Sequence, residues 1–447
     1  MAVKVQPRVL KGFRDFLPLE QAPRAAMLET IAQAFESCAF EPLSTPAVEY
    51  LDVLTGKYGD EGDKLLYQFK DHGDRDVALR YDLTVPLARV VAQHRDLPSP
   101  FKRYQIGTVW RAEKPAHGRF REFVQCDADI VGTGSPLADA DCISAGILAL
   151  TALGIDRFQV RISQRAVLNA LLERQGIADP AVQVGVLRVL DKLDKIGADK
   201  VVDLLAGLDG VDPGTARGLL DALLGLQGDA ASVIPRLKDE LDDPGNGAAS
   251  HLGQVMDALE AMGLSRFVGL DLSIARGLDY YTGTVFETTL LDLPGVGSVM
   301  SGGRYDNLLE TFGKGSVPAV GISIGVDRLF ASLVELNQTP EAVSGPMAVL
   351  CPMGDFAVRE CLKLLGGLRR EGIPSEMVPD ASWRMKKQLQ FASRRRARFA
   401  LILGDTELSS GTVMLKDMEA GTQSSVDVGG LTATLREALE RGNDRGR

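Results

Sequence analysis

The segment Arg276–Tyr281 places several chemically useful side chains within six residues. It holds an arginine, an aspartate and two adjacent tyrosines, and Thr282–Glu287 after it alternates as a β-strand does. A strand at this point would present a fixed cation beside two phenol hydroxyls on a sheet surface. Such a set suits a small zwitterion that must be oriented while it reacts. Tyrosine pairs are also common in half-buried strands, so the segment alone leaves both interpretations open.

The composition is that of a globular protein with two or three domains. A chain of 447 residues is too long for one ordinary core, and its 45% hydrophobic and 25% charged residues are typical of such proteins. The net charge of −10 gives no overall signal for nucleic acid, so any such contact requires a local basic patch. Five cysteines without paired spacing predict free thiols in a cytoplasmic protein without a structural metal. No apolar run has the length of a membrane span, so we expect no membrane association.

The N-terminal region mixes a helix with strands that could carry a site. Amphipathic periodicity predicts a helix over Gln21–Phe40. Prolines make Glu41–Val48 an edge strand or an interface segment. Alternation predicts strands at Phe101–Trp110 and Arg121–Val131, and the polar connection Arg111–Arg119 joins them into a long β-hairpin.

Two further regions follow. From residue 163 to residue 263, leucine- and alanine-rich periodicity predicts a helical insertion, to which we assign no chemistry. Beyond about Ser344, strands alternate with helices, which predicts a small α/β domain with a mostly parallel sheet. Its segment Trp383–Ala400 contains seven Lys or Arg residues and no acidic residue. Such a pattern is usually a solvated helix face, but it also fits a patch that contacts phosphates.

Three segments resemble the motifs of the class II aminoacyl-tRNA synthetases. Glu41–Val48 resembles motif 1, Arg111–Glu113 together with Arg119–Phe123 resembles motif 2, and Gly321–Arg328 resembles motif 3. The resemblance implies a catalytic domain of α+β type, built on an antiparallel sheet with flanking helices. ATP bent onto such a sheet requires an arginine at its α-phosphate, an aromatic ring beneath adenine and a second arginine at its γ-phosphate.

The same resemblance implies which residues bind ATP. Arg111 would lie at the α-phosphate, with Arg121 beside the phosphates. Phe123 would lie beneath the adenine ring, with Glu113 near the adenine amino group. Arg328 would contact the γ-phosphate and the opposite adenine face. ATP is expected to arrive as its complex with Mg²⁺, and no protein ligand of the metal is assigned.

A narrower resemblance is to the histidyl-tRNA synthetase family. Five segments occur in the order of that family and span nearly the whole chain: Leu10–Pro18, Arg80–Pro86, Gly118–Asp129, Arg276–Tyr281 and Ser301–Asp306. Each short motif is moderately specific. Five of them in order make chance a negligible explanation.

This family resemblance implies a binding site for L-histidine. Its residues would be Asp82, Leu83, Thr84, Arg111, Gln125, Asp129, Arg276, Tyr280 and Tyr281. Within that set, Asp82 and Thr84 would hold the α-ammonium group. Gln125 and Arg276 would hold or polarise the carboxylate.

The imidazole ring would be recognised by Asp129 and Tyr281, with Tyr280 completing the pocket. Neutral imidazole has one donor and one acceptor nitrogen, so a carboxylate and a phenol can satisfy both. Four residues separate Asp129 from Gln125 on the predicted strand, which places both side chains on one strand face.

The implied activity is that of a histidine–tRNA ligase, with Arg276 and Arg111 as the catalytic residues. The catalytic domain would comprise residues 1–162 and 264–335, interrupted by the insertion at 163–263. Residues 344–447 would form an anticodon-binding domain. The expected partners are L-histidine, ATP and tRNA(His), and the segment that resembles motif 1 predicts a homodimer.

Three alternatives remain open at this point. The nearest is a synthetase-like regulatory subunit of ATP phosphoribosyltransferase, which would bind histidine without charging tRNA. Such proteins typically lack the C-terminal domain and have lost ATP-binding arginines, whereas Arg111, Arg121, Arg276 and Arg328 are all present here. A different class II synthetase fits the Arg276–Tyr281 segment poorly. A non-enzymatic tRNA-binding protein or sensor would require a degenerate pocket.

Overall fold

The computed structural model describes residues 5–56, 63–115, 119–190, 192–226, 230–241, 247–274, 281–313, 315–340 and 345–444. The chain divides into two compact units. The first comprises residues 1–15 and 27–339, and the second comprises residues 16–26 and 340–447. In the described part of the chain, no helix combines the length and the apolar character needed to cross a membrane.

The strands of the first unit are β1 (Glu41–Pro42), β2 (Val48–Tyr50), β3 (Gln68–Lys70), β4 (Asp76–Leu79), β5 (Phe101–Trp110), β6 (Glu122–Val131), β7 (Phe158–Gln164), β8 (Val268–Leu270), β9 (Thr284–Leu290), β10 (Ser298–Arg304) and β11 (Ala319–Gly325). Its helices are α1 (Pro18–Ser37, which enters this unit at Met27), α2 (Leu51–Leu54), α3 (Thr84–Gln93), α4 (Pro136–Ala152), α5 (Arg165–Arg174), α6 (Pro180–Leu190), α7 (Leu193–Ile196), α8 (Ala198–Leu205), α9 (Pro213–Gly225), α10 (Ala230–Glu240), α11 (Ala248–Ala261) and α12 (Val326–Glu335). Short 3₁₀ turns lie at Ser265–Phe267, Pro294–Val296 and Glu310–Phe312.

Eight strands form the main sheet, in the order β1-β5-β6-β11-β10-β9-β7-β8. Every pair between β5 and β7 is antiparallel, and the edge strands β1 and β8 run parallel to their neighbours. The predicted antiparallel catalytic sheet is therefore confirmed. The two strands of the predicted hairpin are β5 and β6, and the proline-containing β1 lies at the edge of the sheet, as expected. A separate small sheet has the order β2-β4-β3.

Strand β6 separates an apolar face from a polar face. Cys126, Ala128 and Ile130 belong to the main hydrophobic core, which also contains residues of α4. Successive side chains of a strand point to opposite faces, so Gln125 and Asp129 lie on the other side of the sheet from α4. The alternation in the sequence thus decides which face of β6 is left for polar chemistry.

The helices between residues 163 and 263 pack in the first unit, and a buried ion cluster fixes one of them to α4. Asp139 of α4 is fully buried and accepts a hydrogen bond of 2.7 Å from Thr284. Its carboxylate also lies 2.6 Å from Nε2 of His251 on α11, and Arg304 of β10 donates to it. Burial opposes ionisation, but His251 and Arg304 outweigh it and lower the pKa of Asp139. The arginine of the Ser301–Asp306 motif is therefore part of this buried ion cluster.

The second unit contains strands β12 (Ala348–Pro352), β13 (Ser375–Met377), β14 (Phe399–Leu403), β15 (Thr412–Asp417) and β16 (Gln423–Asp427), and helices α13 (Asp355–Arg370), α14 (Met385–Arg394), α15 (Asp405–Ser410) and α16 (Leu431–Asp444). The sheet order is β13-β12-β14-β15-β16. The α/β character is as predicted, and β12 pairs in parallel with both β13 and β14. The expectation of a mostly parallel sheet is wrong, because β15 and β16 pair antiparallel. The short connections that precede these two strands leave no room for the crossover that parallel pairing requires.

Candidate active site

The polar face of β6 is the platform of the candidate site. Phe123, Gln125, Asp127 and Asp129 alternate along it and share one face. The neighbouring strands bring their own residues to this face. Asp129 pairs with Arg103 on β5 and with Gly321 on β11, and Asp127 pairs with Gln105 and Ser323.

Asp129 is the centre of a buried polar network. Arg103 is fully buried, and its Nη2 lies 2.6 Å from Oδ2 of Asp129, forming an ion pair. The phenol of Tyr305 donates a hydrogen bond of 2.5 Å to Oδ1 of the same carboxylate. Burial raises the pKa of Asp129, while Arg103 and Tyr305 act in the opposite direction. The network holds this carboxylate in one orientation on the sheet.

Asp127 lies between Gln125 and Asp129 on β6. Only 2% of its surface is exposed, the same fraction as for Asp129. Burial raises the pKa of Asp127 to about 7, against the opposing charge of Arg103 and with a further increase from the nearby Asp129. Its Oδ1 has no hydrogen-bond partner among the residues that the structure describes. A buried carboxylate with an unpaired oxygen is costly, and such groups are concentrated at functional sites.

Gln125 is held by the strand on the other side of β6. Its Nε2 donates a hydrogen bond of 2.7 Å to Oγ of Ser323 on β11. Its Oε1 is buried and has no partner within the described ranges. The amide therefore presents an acceptor to the polar face of the sheet.

The segment Asp82–Thr84 connects β4 to α3 and meets the same network. Oδ1 of Asp82 accepts the backbone N–H of Val85 at 3.0 Å, which satisfies a donor in the first turn of α3. Leu83 is fully buried, and its carbonyl accepts a hydrogen bond of 3.4 Å from Arg103. Thr84 is the first residue of α3 and is half-buried. Arg103 thus links Asp129 to this segment.

Arg111 directly follows β5 and lies against aromatic rings. Its guanidinium carbon is 4.2 Å from the ring centre of Tyr81 and 5.1 Å from that of Phe123. Its Nε donates to the carbonyl of Tyr81 at 3.3 Å. These contacts direct the cation across the sheet surface beside Phe123, an arrangement suited to an anion attached to an aromatic base.

Glu113 and Arg121 lie together at the end of the hairpin where β5 connects to β6. Nε of Arg121 donates to the carbonyl of Glu113 at 2.9 Å, and the backbone N–H of Arg121 donates to the carbonyl of Gly12 at 2.9 Å. The backbone N–H of Arg111 in turn donates to the carbonyl of Arg121 at 2.9 Å. Gly12, within the predicted motif Leu10–Pro18, therefore supports the segment that resembles motif 2.

Arg328 lies in the first turn of α12. Its Nη1 donates to the carbonyl of Ser298 at 2.5 Å. The preceding Asp327 accepts the backbone N–H of Val124 at 2.9 Å and a hydrogen bond of 2.6 Å from Arg14. Because Val124 is on β6, this carboxylate joins the motif 3 segment to the strand that carries the polar face.

The remaining predicted residues follow β8 in the chain. Tyr281 is half-buried and packs in the same hydrophobic cluster as Tyr81 and Tyr305. Arg276 and Tyr280 lie outside the described residues, so their predicted roles stay predictions. Gly303 of β10 leaves room for Tyr281, because a Cβ at that glycine would lie 2.9 Å from the tyrosine ring.

Four residues of this face were not predicted from the sequence: Arg103, Asp127, Tyr305 and Ser323. Asp127 had a visible signal, since it lies between Gln125 and Asp129 at the same spacing of two. The others depend on strand register or on chain folding. Within the described ranges, no group of three or more His, Cys, Asp or Glu side chains is placed to hold a metal ion.

Comparisons with known proteins agree with this geometry. Residues 12–329 match the family model described as histidyl-tRNA synthetase, and residues 347–438 match that of an anticodon binding domain. A histidine–tRNA ligase from Rhodopirellula baltica is 45% identical over 428 residues, covering 95% of this chain and 96% of the relative. The crystal structure of histidyl-tRNA synthetase from Nostoc sp. PCC 7120 superposes with a TM-score of 0.86 at 32% identity, over 97% of this chain and 100% of that one.

A further solved structure shares the fold alone. It is an ATP phosphoribosyltransferase regulatory subunit/histidyl-tRNA synthetase from Bacillus halodurans C, with a TM-score of 0.76 and 24% identity. It covers 90% of this chain and 100% of its own.

Proposed function

Because the chain belongs to the histidyl-tRNA synthetase family, we propose that it acts as a histidine–tRNA ligase. It activates L-histidine with ATP to histidyl-adenylate and pyrophosphate. It then transfers histidine to the 3′ end of tRNA(His) and releases AMP. One observation carries the proposal. The buried polar face of β6 holds Gln125 and Asp129, and the adjoining strand β5 leads directly into Arg111, which lies beside Phe123.

The histidine pocket is proposed to use Asp129 and Tyr281 for the imidazole ring, with Tyr280 beside them. A carboxylate has about four lone-pair positions, so Asp129 can accept from imidazole while Tyr305 and Arg103 hold it. An amino acid without an N–H donor on its ring would leave an acceptor position of that buried carboxylate unpaired. Such unpaired polar groups give discrimination on the order of 10⁴-fold.

The α-ammonium group is proposed to bind at Asp82 and Thr84, at the start of α3, with Leu83 between them. The α-carboxylate is assigned to Arg276 and to Gln125, which lies on the polar face of β6.

ATP is proposed to lie across the end of the hairpin. Arg111 contacts the α-phosphate and Phe123 the adenine ring, and Glu113 and Arg121 flank them. Arg328 contacts the γ-phosphate. Mg²⁺ enters with ATP as part of the substrate, and no protein ligand is assigned to it.

The first step requires no general base, because the attacking carboxylate of histidine is already ionised. It attacks the α-phosphorus of ATP, and the bond to the pyrophosphate oxygen breaks. The contribution of the protein is then positioning and stabilisation of the phosphate charge, which we assign to Arg111 and Arg276. In the second step the terminal ribose hydroxyl of tRNA attacks the mixed anhydride.

The catalytic domain is proposed to comprise residues 1–162 and 264–335, with the insertion at 163–263. Residues 344–447 form the anticodon-binding domain, in which the exposed basic residues around α14 contact the tRNA backbone. A homodimer is proposed through the segment near β1, which lies at an edge of the sheet. The protein acts in the cytoplasm, where ATP and tRNA meet.

A regulatory subunit of ATP phosphoribosyltransferase is the second candidate, since the structure from Bacillus halodurans C carries that description at 24% identity. Two features oppose it. The chain includes a segment that matches the anticodon binding domain, and Arg111, Arg121 and Arg328 are all present.

ATP–pyrophosphate exchange with each common amino acid in turn tests the proposal. Exchange with L-histidine alone is expected, followed by charging of tRNA(His). If folded protein with Mg²⁺ gives no exchange with any amino acid, the ligase proposal fails and the regulatory candidate replaces it.

A further inference from the structure

Residues 10–14 form a tight turn that packs against the hairpin of β5 and β6. The backbone N–H of Phe13 donates to the carbonyl of Leu10 at 3.0 Å, which closes the turn. Gly12 has a φ of +90°, a value that suits the third position of a type II turn. A Cβ at this glycine would lie 2.8 Å from Cγ of Arg121, so the close approach to the hairpin requires glycine as well.

The carbonyl groups of this turn hold Arg121, in the segment that resembles motif 2. The carbonyl of Gly12 accepts the backbone N–H of Arg121 at 2.9 Å, and the carbonyl of Lys11 accepts its Nη1 at 3.4 Å. Nε of Arg121 donates to the carbonyl of Glu113 at 2.9 Å. These backbone oxygens fix the guanidinium without neutralising it, because a carbonyl carries no net charge. The positive charge of Arg121 therefore stays available to a phosphate.

Arg14 extends the contact to the segment that resembles motif 3. Its Nη2 donates to Oδ1 of Asp327 at 2.6 Å, and its guanidinium carbon lies 3.4 Å from the ring centre of Phe120. A planar guanidinium can stack on a ring and pair with a carboxylate at the same time. Phe120 directly precedes Arg121, and Asp327 directly precedes Arg328. Arg14 therefore joins the two segments at positions next to their predicted ATP-binding arginines.

Asp327 lies at the point where a strand ladder ends. The pairing of β6 with β11 stops at Gln125 and Gly325, where β11 leads into α12. Beyond this pair, the backbone N–H of Val124 on β6 donates to Oδ2 of Asp327 at 2.9 Å. The carboxylate thus replaces the missing strand partner of a backbone donor. Only 5% of its side chain is exposed, so a cation beside it is needed to offset the cost of burying its charge.

We propose that Arg14 is a positioning residue for the ATP site, and that it sets the spacing between Arg121 and Arg328. This inference rests on the proposed function and specifies how its ATP site is held. Without Arg14, the two segments would lose a bridge between them. The carboxylate of Asp327 would also lose a counter-charge close to the place where ATP brings its own negative charge. Arg14 itself does not touch ATP in this account.

Two variants and one control test the inference in ATP–pyrophosphate exchange with L-histidine. Arg14→Ala removes both contacts, whereas Arg14→Lys keeps a positive charge near Asp327 but loses the planar group that stacks on Phe120. Arg157→Ala is the matched control, because it also removes an arginine from an ion pair, with Asp292 at 2.8 Å. The urea midpoint of each variant is measured in parallel, so that a loss of folding is recognised.

Arg14→Ala is expected to raise KM for ATP by between about tenfold and about a hundredfold, the cost of misplacing a binding group by about 1 Å. KM for histidine should change by less than about twofold, because the two segments that Arg14 joins are those assigned to ATP. Arg14→Lys should lie between wild type and Arg14→Ala. Arg157→Ala should match wild type in both Michaelis constants.

An unchanged KM for ATP in Arg14→Ala, or equal rises in both Michaelis constants, would overturn the inference. An equal rise in Arg157→Ala would overturn it too, because the loss of any arginine would then have the same effect. If Arg14→Ala does not fold, Arg14→Lys decides by the same comparison of the two constants. If wild-type protein gives no exchange, the ligase proposal fails. The dissociation constants of Mg²⁺–ATP from wild type and Arg14→Ala, measured by calorimetry, then decide the inference separately.

Discussion

Asp127 should make the stability of the first unit depend on pH, and the variant Asp127→Asn isolates its contribution. Burial is the main cause that raises the pKa of Asp127, from 3.8 to about 7. A carboxyl group with a raised pKa favours the folded state in its neutral form. Its contribution to the free energy of unfolding is complete below the pKa of the unfolded state, and it is lost as the pH rises towards the pKa of the folded state. An asparagine at this position does not titrate, so it does not lose stability in this way.

The size of the effect follows from the two pKa values. The full shift corresponds to about 4 kcal/mol, at roughly 1.4 kcal/mol for each pH unit. Part of this stabilisation is already absent at mildly acidic pH. Between about pH 5 and about pH 8.5, the unfolding free energy of Asp127→Asn minus that of wild type should increase by about 3 kcal/mol.

Urea unfolding followed by tryptophan fluorescence provides the measurement. Trp110 is on β5 beside the site, whereas Trp383 is in the second unit, so a Trp383→Phe background reports on the first unit alone. Asp96→Asn, at an exposed carboxylate, is the matched control for a change from aspartate to asparagine. A difference for Asp127→Asn that stays constant over this pH range would refute the reasoning.

Four other predictions concern single features. Tyr305→Phe removes the donor to buried Asp129 and should lower the unfolding free energy by about 1–3 kcal/mol, and unchanged urea midpoints would contradict this. Gly321→Ala would place a Cβ well inside van der Waals distance of Oδ1 of Asp129, so KM for histidine should rise by at least about tenfold while KM for ATP is retained. Arg276→Ala should lower adenylate formation far more than histidine binding, and similar losses in both would mark a ground-state anchor. Replacing exposed basic residues of Trp383–Ala400 with neutral ones should reduce the salt dependence of tRNA binding. In filter-binding measurements, the slope of log K against log salt concentration should fall by about one unit for each phosphate contact that is lost.

Local patterns were sufficient to predict the elements that carry the site. The period-two alternation in Phe101–Trp110 and Arg121–Val131 predicted both strands of the hairpin to within one residue. Prolines in Glu41–Val48 predicted an edge position, and the main sheet has β1 at its edge. These features depend on side-chain direction and backbone hydrogen bonding within a few residues, which the sequence states directly.

Local patterns failed where pairing was not local. The C-terminal sheet was expected to be mostly parallel, because three alternating strands were visible and the added pair β15 and β16 was not counted. The roles of Arg103 and Tyr305 were also missed. Neither residue is close to Asp129 in the sequence. Their residue types also occur at many core positions, so the type alone did not mark them as site residues.

The sequence by itself determined that Gln125, Asp127 and Asp129 share one face of a strand, since alternation is a property of the backbone. Tertiary structure decided what meets them. The apolar face of β6 packs into the core with α4, and this packing and the hydrogen-bond ladders fix the register that places Arg103 and Ser323 opposite the aspartates. A slip of one residue would turn the polar residues into the core, so register is specified by the whole sheet and by no single segment.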